Sequence, residues 1–344
     1  MKIIINGRFL TQNITGVQRL AHEIVKELDK VIKKNEAVIL VPKNILFKNI
    51  RYENIEIKKV GILKGHLWEQ LELPYYVWRN QGRLLSLCNT APIINTGIVN
   101  ICDVSPKINP GFFSKSFSIF YKVLYWFITK TSLKILTISN FSKVEIIENY
   151  KINPNKINII YCGWQHMNEI IENEKILKKL QLEDKNFYLG VSSINPNKNF
   201  KYIIELAKIY PEKTFVIAGK LNQKVFGGMD LEKVKNLVWA GYVSDGELKS
   251  LYKNTTGFIY PSFYEGFGIP PLEALACGCK KVYISYTSCL PEIFEDSVIY
   301  LNPYKVEKVL NETEVIKEEN IKKILDKYSW EKSAKKIIDV IREE

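Results

Sequence analysis

Short apolar runs alternate with amphipathic stretches along the chain. Residues 2–6 (KIIIN) predict a buried strand. A polar, glycine-containing loop follows, then GVQRLAHEIVKELDKVIKK, in which Val17, Leu20, Ile24, Val25 and Leu28 recur at helical spacing. EAVILVP predicts a second strand. TISNFSKVEIIENY predicts a strand end, a cap at Ser139 or Asn140, and a helix. INIIYCG closes this half as a strand. The second half repeats the alternation: NFYLGVSS, KTFVIAG, LVWAGYV, TGFIYPS, KKVYIS and VIYLNP read as strands. NFKYIIELAKIYP reads as a helix stopped by Pro211, and SDGELKSLYKN as a helix capped by Ser244. Strand and helix in turn predict parallel sheets covered on both faces, hence two doubly wound α/β domains. No short repeat and no low-complexity linker marks their boundary, which falls near residues 163–185.

One segment departs from the alternation. FSKSFSIFYKVLYWFITKTSLKIL carries Phe117, Phe120, Tyr121, Tyr125, Trp126 and Phe127, interleaved with Lys115, Lys122, Lys130 and Lys134. It fits a helix lying on a membrane or a greasy acceptor. It also fits a core helix with a lysine-bearing face, the reading that the usual burial of aromatics favours.

Composition narrows the picture. At 344 residues the chain is long for one core and suits two domains. Its 46% hydrophobic and 25% charged residues are those of a globular protein. No run of about 18 apolar residues predicts a membrane span, and the start lacks the features of a signal peptide. The six cysteines form no C-x-x-C pair and are expected to be reduced; the three histidines are scattered, and no metal site is expected. Charge is unevenly spread. Residues 1–165 hold 23 Lys/Arg and 11 Asp/Glu, a surplus of 23 − 11 = 12, whereas residues 166–344 hold 26 of each. The surplus points to an anionic partner for the first half, or simply to a lysine-rich composition.

The candidate chemistry lies in YPSFYEGFGIPPLEALACGC, residues 260–279. Its glycines allow a ligand to approach the backbone closely. Pro271 suits the first position of a helix and Gly278 its end, which puts Glu273 in the first turn. Glu265 lies on the same loop, at the C-terminal end of the strand TGFIYPS, where open α/β sheets bind ligands. Two carboxylate acceptors among backbone donors suit a polyhydroxylated ligand. The alternative is a capping carboxylate and a solvated loop acid.

This stretch resembles the E-x7-E region of the retaining glycosyltransferases of family 4, which have the GT-B fold. Other segments resemble that family in the right order along nearly the whole chain: TGVQRLAHEI, HLWEQLELP, TISNFSKVEI, NPNKNFKYIIE, GYVSDGELKSLY, TSCLPEI and YSWEKSAKKI. HLWEQLELP is similar to a segment of the mannosyl- and rhamnosyltransferase-like members. The resemblance implies two Rossmann-like domains facing a deep cleft. Residues 1–165 would form the acceptor-side domain, residues 166–327 the nucleotide-sugar domain, and residues 328–344 a helix crossing back to the first.

By the same resemblance Glu265 and Asp103 are the catalytic candidates, with Glu265 at the donor sugar near the reacting carbon. Glu273 would bind the ribose hydroxyls, and the amides of Gly266, Phe267 and Gly268 the sugar hydroxyls. Lys198 would neutralise the diphosphate, with Asn197 and Ser193 beside it, and Gly16 at a helix N-terminus would leave room for the same phosphates. The donor would be a GDP-, UDP- or dTDP-sugar, the acceptor a glycan or a polyprenyl-diphosphate-linked glycan for a surface polysaccharide. No metal or other cofactor is expected. Such a protein would work in the cytoplasm, at the inner face of the membrane.

Three positions depart from the family pattern: Cys102 stands where a histidine is common, Asn197 where an arginine is, and Ser192 where a glycine is. Other classes of function remain to be weighed. A GT-B epimerase or sugar synthase would share the fold, and a non-catalytic nucleotide-sugar binder would share the pocket. No RNA-binding module, no G-x-G-x-x-G after a strand and no P-loop is present, which argues against nucleic-acid binding, dinucleotide-dependent redox chemistry and P-loop phosphotransfer.

Overall fold

A computed structural model describes residues 2–46, 50–192, 195–219, 234–308, 310 and 316–343. The chain divides into two units, residues 1–162 with 330–344, and residues 163–329.

In the first unit the apolar run at the start becomes β1 (Ile3–Asn6), buried along its whole length. α1 (Gly16–Val31) buries Leu20, Ile24, Val25 and Leu28 of the stripe its periodicity predicts, together with Ala21, while Val17 is only half-buried. β2 (Ala37–Val41) is wholly buried, whereas β3 (Glu56–Lys59) is a mostly exposed edge strand. Residues 65–79 form one continuous helical stretch with a π-helical turn at Trp68–Glu72, ending in α2 (Leu73–Arg79). β4 (Arg83–Ser86) and β5 (Ile98–Asn100) follow, then α3 (Lys115–Thr131), β6 (Lys134–Thr137), α4 (Asn140–Tyr150) and β7 (Ile157–Ile159). α4 is capped by Ser139, which accepts from the Ser142 amide. Among the described residues the seven strands are parallel in the order β3-β2-β1-β4-β5-β6-β7, with Ile3 facing Ala37 on one side and Arg83 on the other. Parallel strands covered on both faces read as continuous apolar runs, which is why β1 and β2 are plain in the sequence. EIKK is too polar to read as a strand in the sequence, and β4 and β5 are too short to stand out there.

The second unit holds β8 (Phe187–Val191), α5 (Phe200–Ile209), β9 (Thr214–Ala218), β10 (Leu237–Gly241), α6 (Asp245–Asn254), β11 (Gly257–Tyr260), α7 (Ile269–Ala276), β12 (Val282–Ser285), β13 (Ile299–Leu301) and α8 (Glu318–Lys327). Among the described residues its six parallel strands run β10-β9-β8-β11-β12-β13. Ser244 caps α6 in a full capping box with Glu247. The core on one face joins Ile203 and Leu206 of α5 to Phe215, Ile259 and Tyr283 of the strands. The last helix, α9 (Trp330–Arg342), belongs to the first unit and packs on α1; there the Arg83 guanidinium donates to the Ile341 carbonyl at 2.6 Å.

Candidate active site

Each sheet changes direction of winding once. In the second unit this happens between β8 and β11, which are neighbours in space but far apart in sequence. The strand ends diverge at such a point and leave a crevice beyond their C-termini. Lys198 comes from the segment after β8, and Glu265 from the loop after β11. They meet there: Lys198 Nζ lies 2.6 Å and 2.8 Å from the two carboxylate oxygens of Glu265. Both side chains are largely buried, at 16% and 10% exposure. Lys198 also reaches the Tyr260 hydroxyl at 3.4 Å. Burial, with the Glu265 charge and hydrogen bond behind it, pushes the Tyr260 phenol far above its ordinary range, so it stays a neutral donor. The Glu265 amide donates to Ser288 Oγ at 3.0 Å, which pins the loop under the carboxylate.

The glycine loop has a structural reason for its composition. Gly268 has φ +99°, and a Cβ there would lie 2.9 Å from Leu290 Cδ2. Phe267 is buried, its ring edge-on to Tyr328 at 5.2 Å, so this residue offers a ligand only its backbone. α7 begins at Ile269, two residues before the predicted start at Pro271, and Gly278 at φ +90° follows its end. Glu273 therefore sits in the second turn of α7, not the first.

The Glu273 carboxylate is braced within the unit. Oε1 is 2.9 Å from Nε2 of buried His166, and Oε2 accepts from the Tyr252 hydroxyl at 3.0 Å. Burial and the adjacent Glu273 charge raise the Tyr252 phenol well above its usual value, so it keeps its proton. His166 and Tyr252 were not singled out in the sequence: no spacing links positions separated by 107 and 21 residues from Glu273. Asn197, where the family resemblance expects an arginine, is buried; its side-chain nitrogen donates to the Tyr264 carbonyl at 3.5 Å and its backbone carbonyl accepts from the Phe263 amide at 2.8 Å. It ties the β8 segment to the β11 loop as a structural bridge. Ser193 lies outside the described residues.

Gly16 and Asp103 lie in the first unit. Gly16 is the exposed first residue of α1, and Thr15 before it makes no capping bond to the helix, its hydroxyl going to Gln18. Asp103 follows β5 and accepts from the Ser105 amide at 2.9 Å. Beside it, burial and then the Asp103 charge raise the thiol of Cys102 far above the usual range, so it remains a neutral thiol. The winding of this sheet changes between β1 and β4. Glu69, fully buried, gathers Asn6 from the end of β1 at 2.8 Å, Arg8 at 2.7 Å and Thr90 at 2.8 Å. Burial alone would raise the Glu69 carboxyl, but the His66 hydrogen bond, the Arg8 charge and the bonds from Asn6 and Thr90 outweigh it and lower the pKa. Sequence reading reached this cluster only through HLWEQLELP. The π-helical turn that carries Glu69 has no sequence signature. Among the described residues no three His, Cys, Asp or Glu side chains converge as a metal site.

A relative among curated proteins is the O-antigen chain mannosyltransferase RfbU of Salmonella typhimurium, 30% identical over 236 residues, covering 65% of this chain and 62% of the relative. The O-antigen chain mannosyltransferase B of Escherichia coli is 31% identical over 193 residues, covering 51% of this chain and 49% of the relative. The chain thus spans about half to three fifths of the length of these relatives. Among solved structures, the sucrose-phosphate synthase of Thermosynechococcus elongatus aligns with a TM-score of 0.76 at 13% identity, covering 99% of this chain and 98% of that one. HepE of Anabaena, solved with UDP-glucose, aligns with a TM-score of 0.74 at 16% identity over 100% of both chains. At such identities the likeness establishes the fold, two parallel-sheet Rossmann-like domains as in the GT-B glycosyltransferases. Residues 172–312 match the family model for glycosyl transferases group 1, and Lys198, Glu265 and Glu273 all lie within that match.

Proposed function

We propose that the chain is a retaining glycosyltransferase that moves a hexosyl group from a nucleotide sugar to a glycan or lipid-linked glycan during surface polysaccharide synthesis. The observation that carries this reading is the Lys198–Glu265 pair at the β8/β11 switch point, inside the region that matches glycosyl transferases group 1. The names of the curated relatives favour a mannosyl donor and an O-antigen-type acceptor.

In this reading Lys198 binds the diphosphate. It stabilises the charge that develops as the bond from the anomeric carbon to the diphosphate oxygen breaks. The new bond forms from an acceptor hydroxyl oxygen to that carbon, and the hydroxyl proton passes to the departing diphosphate. Glu265 holds the donor sugar beside the reacting carbon, with the amides of Gly266, Phe267 and Gly268 on its hydroxyls. Glu273, oriented by His166 and Tyr252, takes the ribose hydroxyls. By family resemblance Gly16 and Asp103 of the first unit are assigned a part in transfer. The positive charge on the leaving group comes from a lysine, so no metal is assigned and activity should survive a chelator. The reaction would take place in the cytoplasm.

The test is nucleoside diphosphate release from a panel of GDP-, UDP- and dTDP-sugars in the presence of lipid-linked glycan acceptors. Sugar transfer that depends on one donor and is lost in Glu265→Gln supports the reading. Release that does not require an acceptor, or a folded Glu265→Gln protein with wild-type transfer, contradicts it. The anomeric configuration of the product, read by NMR, decides retention.

A further inference from the structure

Two helical faces of the first unit leave large apolar side chains in water. On α3, Ile119, Val123 and Trp126 are 63%, 50% and 54% exposed, while Leu124, Tyr125 and Ile128 on the opposite side enter the core. The aromatic helix is therefore neither wholly core nor wholly surface. The second face belongs to the stretch 65–79. Leu67, Leu71, Tyr75 and Trp78 recur every three or four residues and are 63%, 63%, 50% and 70% exposed, while Trp68, Leu73 and Val77 are buried. The two faces adjoin, because the His66 ring of one meets the Phe120 ring of the other at 4.8 Å. A row of this kind is not the scatter of single apolar residues found on ordinary surfaces.

Charge identifies the occupant. At about 100° per residue, Lys115, Lys122 and Lys130 fall within the same arc of about 100° on α3 as Ile119, Val123 and Trp126. All three lysines are exposed, as are Lys64 and Arg79 at the two ends of the neighbouring helical stretch. Residues 73–144 contain eight Lys/Arg and a single acid, Asp103. Apolar and aromatic side chains flanked by cations on one face match an anionic lipid surface, where the rings enter the boundary layer and the ammonium groups meet headgroup phosphates. A second copy of the chain is a poor match, since a two-fold contact would set the cationic stripe of one copy against that of the other. No described helix is long and apolar enough to cross a membrane.

We propose that the joined face of residues 65–79 and α3 seats the first unit on an anionic bilayer in the interfacial plane, with Trp78 and Trp126 as its inserted anchors. The assignment is independent of the donor chemistry, so the test uses no nucleotide sugar. The full chain is floated with vesicles of phosphatidylcholine containing phosphatidylglycerol, and with phosphatidylcholine alone, at low and high salt. The expected result is flotation on the anionic vesicles at low salt, at least tenfold weaker in 0.5 M salt, with a blue shift of tryptophan emission. Trp78→Ser with Trp126→Ser should lose the blue shift and most of the binding. Lys115→Gln, Lys122→Gln and Lys130→Gln together should reduce binding to the anionic vesicles at least tenfold. All these side chains are exposed, and thermal unfolding checks that the variants fold. Absence of flotation at low salt overturns the proposal. So does equal binding by the tryptophan variant, or a dimer in light scattering that the tryptophan variant abolishes while vesicles are ignored.

Discussion

Replacing Glu265 by Gln separates two effects that are coupled through its contact with Lys198. Lys198 is clasped by both oxygens of Glu265, at 2.6 Å and 2.8 Å, with both groups largely buried. An incoming diphosphate therefore meets a neutral pair, not a free cation. At about 6 Å and an effective dielectric of about 20, the Glu265 charge opposes each phosphate charge by about 3 kcal/mol. Solvent and side-chain movement recover part of this, so glutamine should tighten nucleoside diphosphate binding by roughly ten- to a hundredfold, or about 1.4–2.8 kcal/mol. Transfer should fall at least a hundredfold, because the carboxylate that faces the reacting sugar is gone. The fold should lose about 1–3 kcal/mol, since Lys198 exchanges a charged partner for a neutral one. The assay is titration calorimetry of wild type and Glu265→Gln with UDP, GDP and dTDP, alongside thermal unfolding. Equal or weaker diphosphate affinity in a folded Glu265→Gln protein would refute the argument that Glu265 competes with the diphosphate for Lys198.

Other outcomes follow from neighbouring groups. Glu273→Ala removes the acceptor that His166 and Tyr252 brace; nucleotide affinity should drop roughly ten- to a hundredfold, and unchanged calorimetric affinity would leave Glu273 a structural role only. Gly268→Ala forces a side chain into a φ of +99° and against Leu290, so thermal unfolding should report a loss of about 1–3 kcal/mol; an unchanged midpoint would show that the loop relaxes freely. Burial, and then the Arg19 charge, lower His22 to about 4 from an ordinary value of 6.5. The unfolded chain then binds the extra proton, so this contribution to stability is full above about pH 6.5 and is lost as pH falls towards 4, by about 3 kcal/mol at most. Denaturant unfolding of wild type and His22→Gln between pH 4 and 7 measures it: the part of the slope due to this residue should vanish in the variant, and identical slopes would contradict the assignment.

The fold was legible where parallel strands are buried on both faces, because β1, β2, β8 and β11 are short apolar runs without ambiguity. It was illegible at β3, whose side chains face water, and at the π-helical turn that carries Glu69. The loop from Glu265 to Gly268 stood out because glycines and prolines cluster around two acids. Its chemistry did not: that Lys198 lies on Glu265, and that His166 and Tyr252 close on Glu273, depends on contacts between strand ends distant in sequence. The aromatic segment was ambiguous for a physical reason. Helical periodicity marks one apolar face, but α3 has two, one for the core and one exposed. Only burial distinguishes Tyr125, which is inside, from Trp126, which is not.

The most direct measurement of the central claim is a thermal-shift panel of UDP-, GDP- and dTDP-sugars on the wild-type chain and on Lys198→Ala. One donor series, present at about 100 times its dissociation constant, should stabilise the wild type by about 2.7 kcal/mol. In Lys198→Ala the diphosphate-bearing ligands should lose their effect while the free nucleoside keeps its own. If no nucleotide sugar stabilises the wild type, or if Lys198→Ala weakens nucleoside and nucleoside diphosphate equally, the assignment of this site to a nucleotide-sugar diphosphate is wrong.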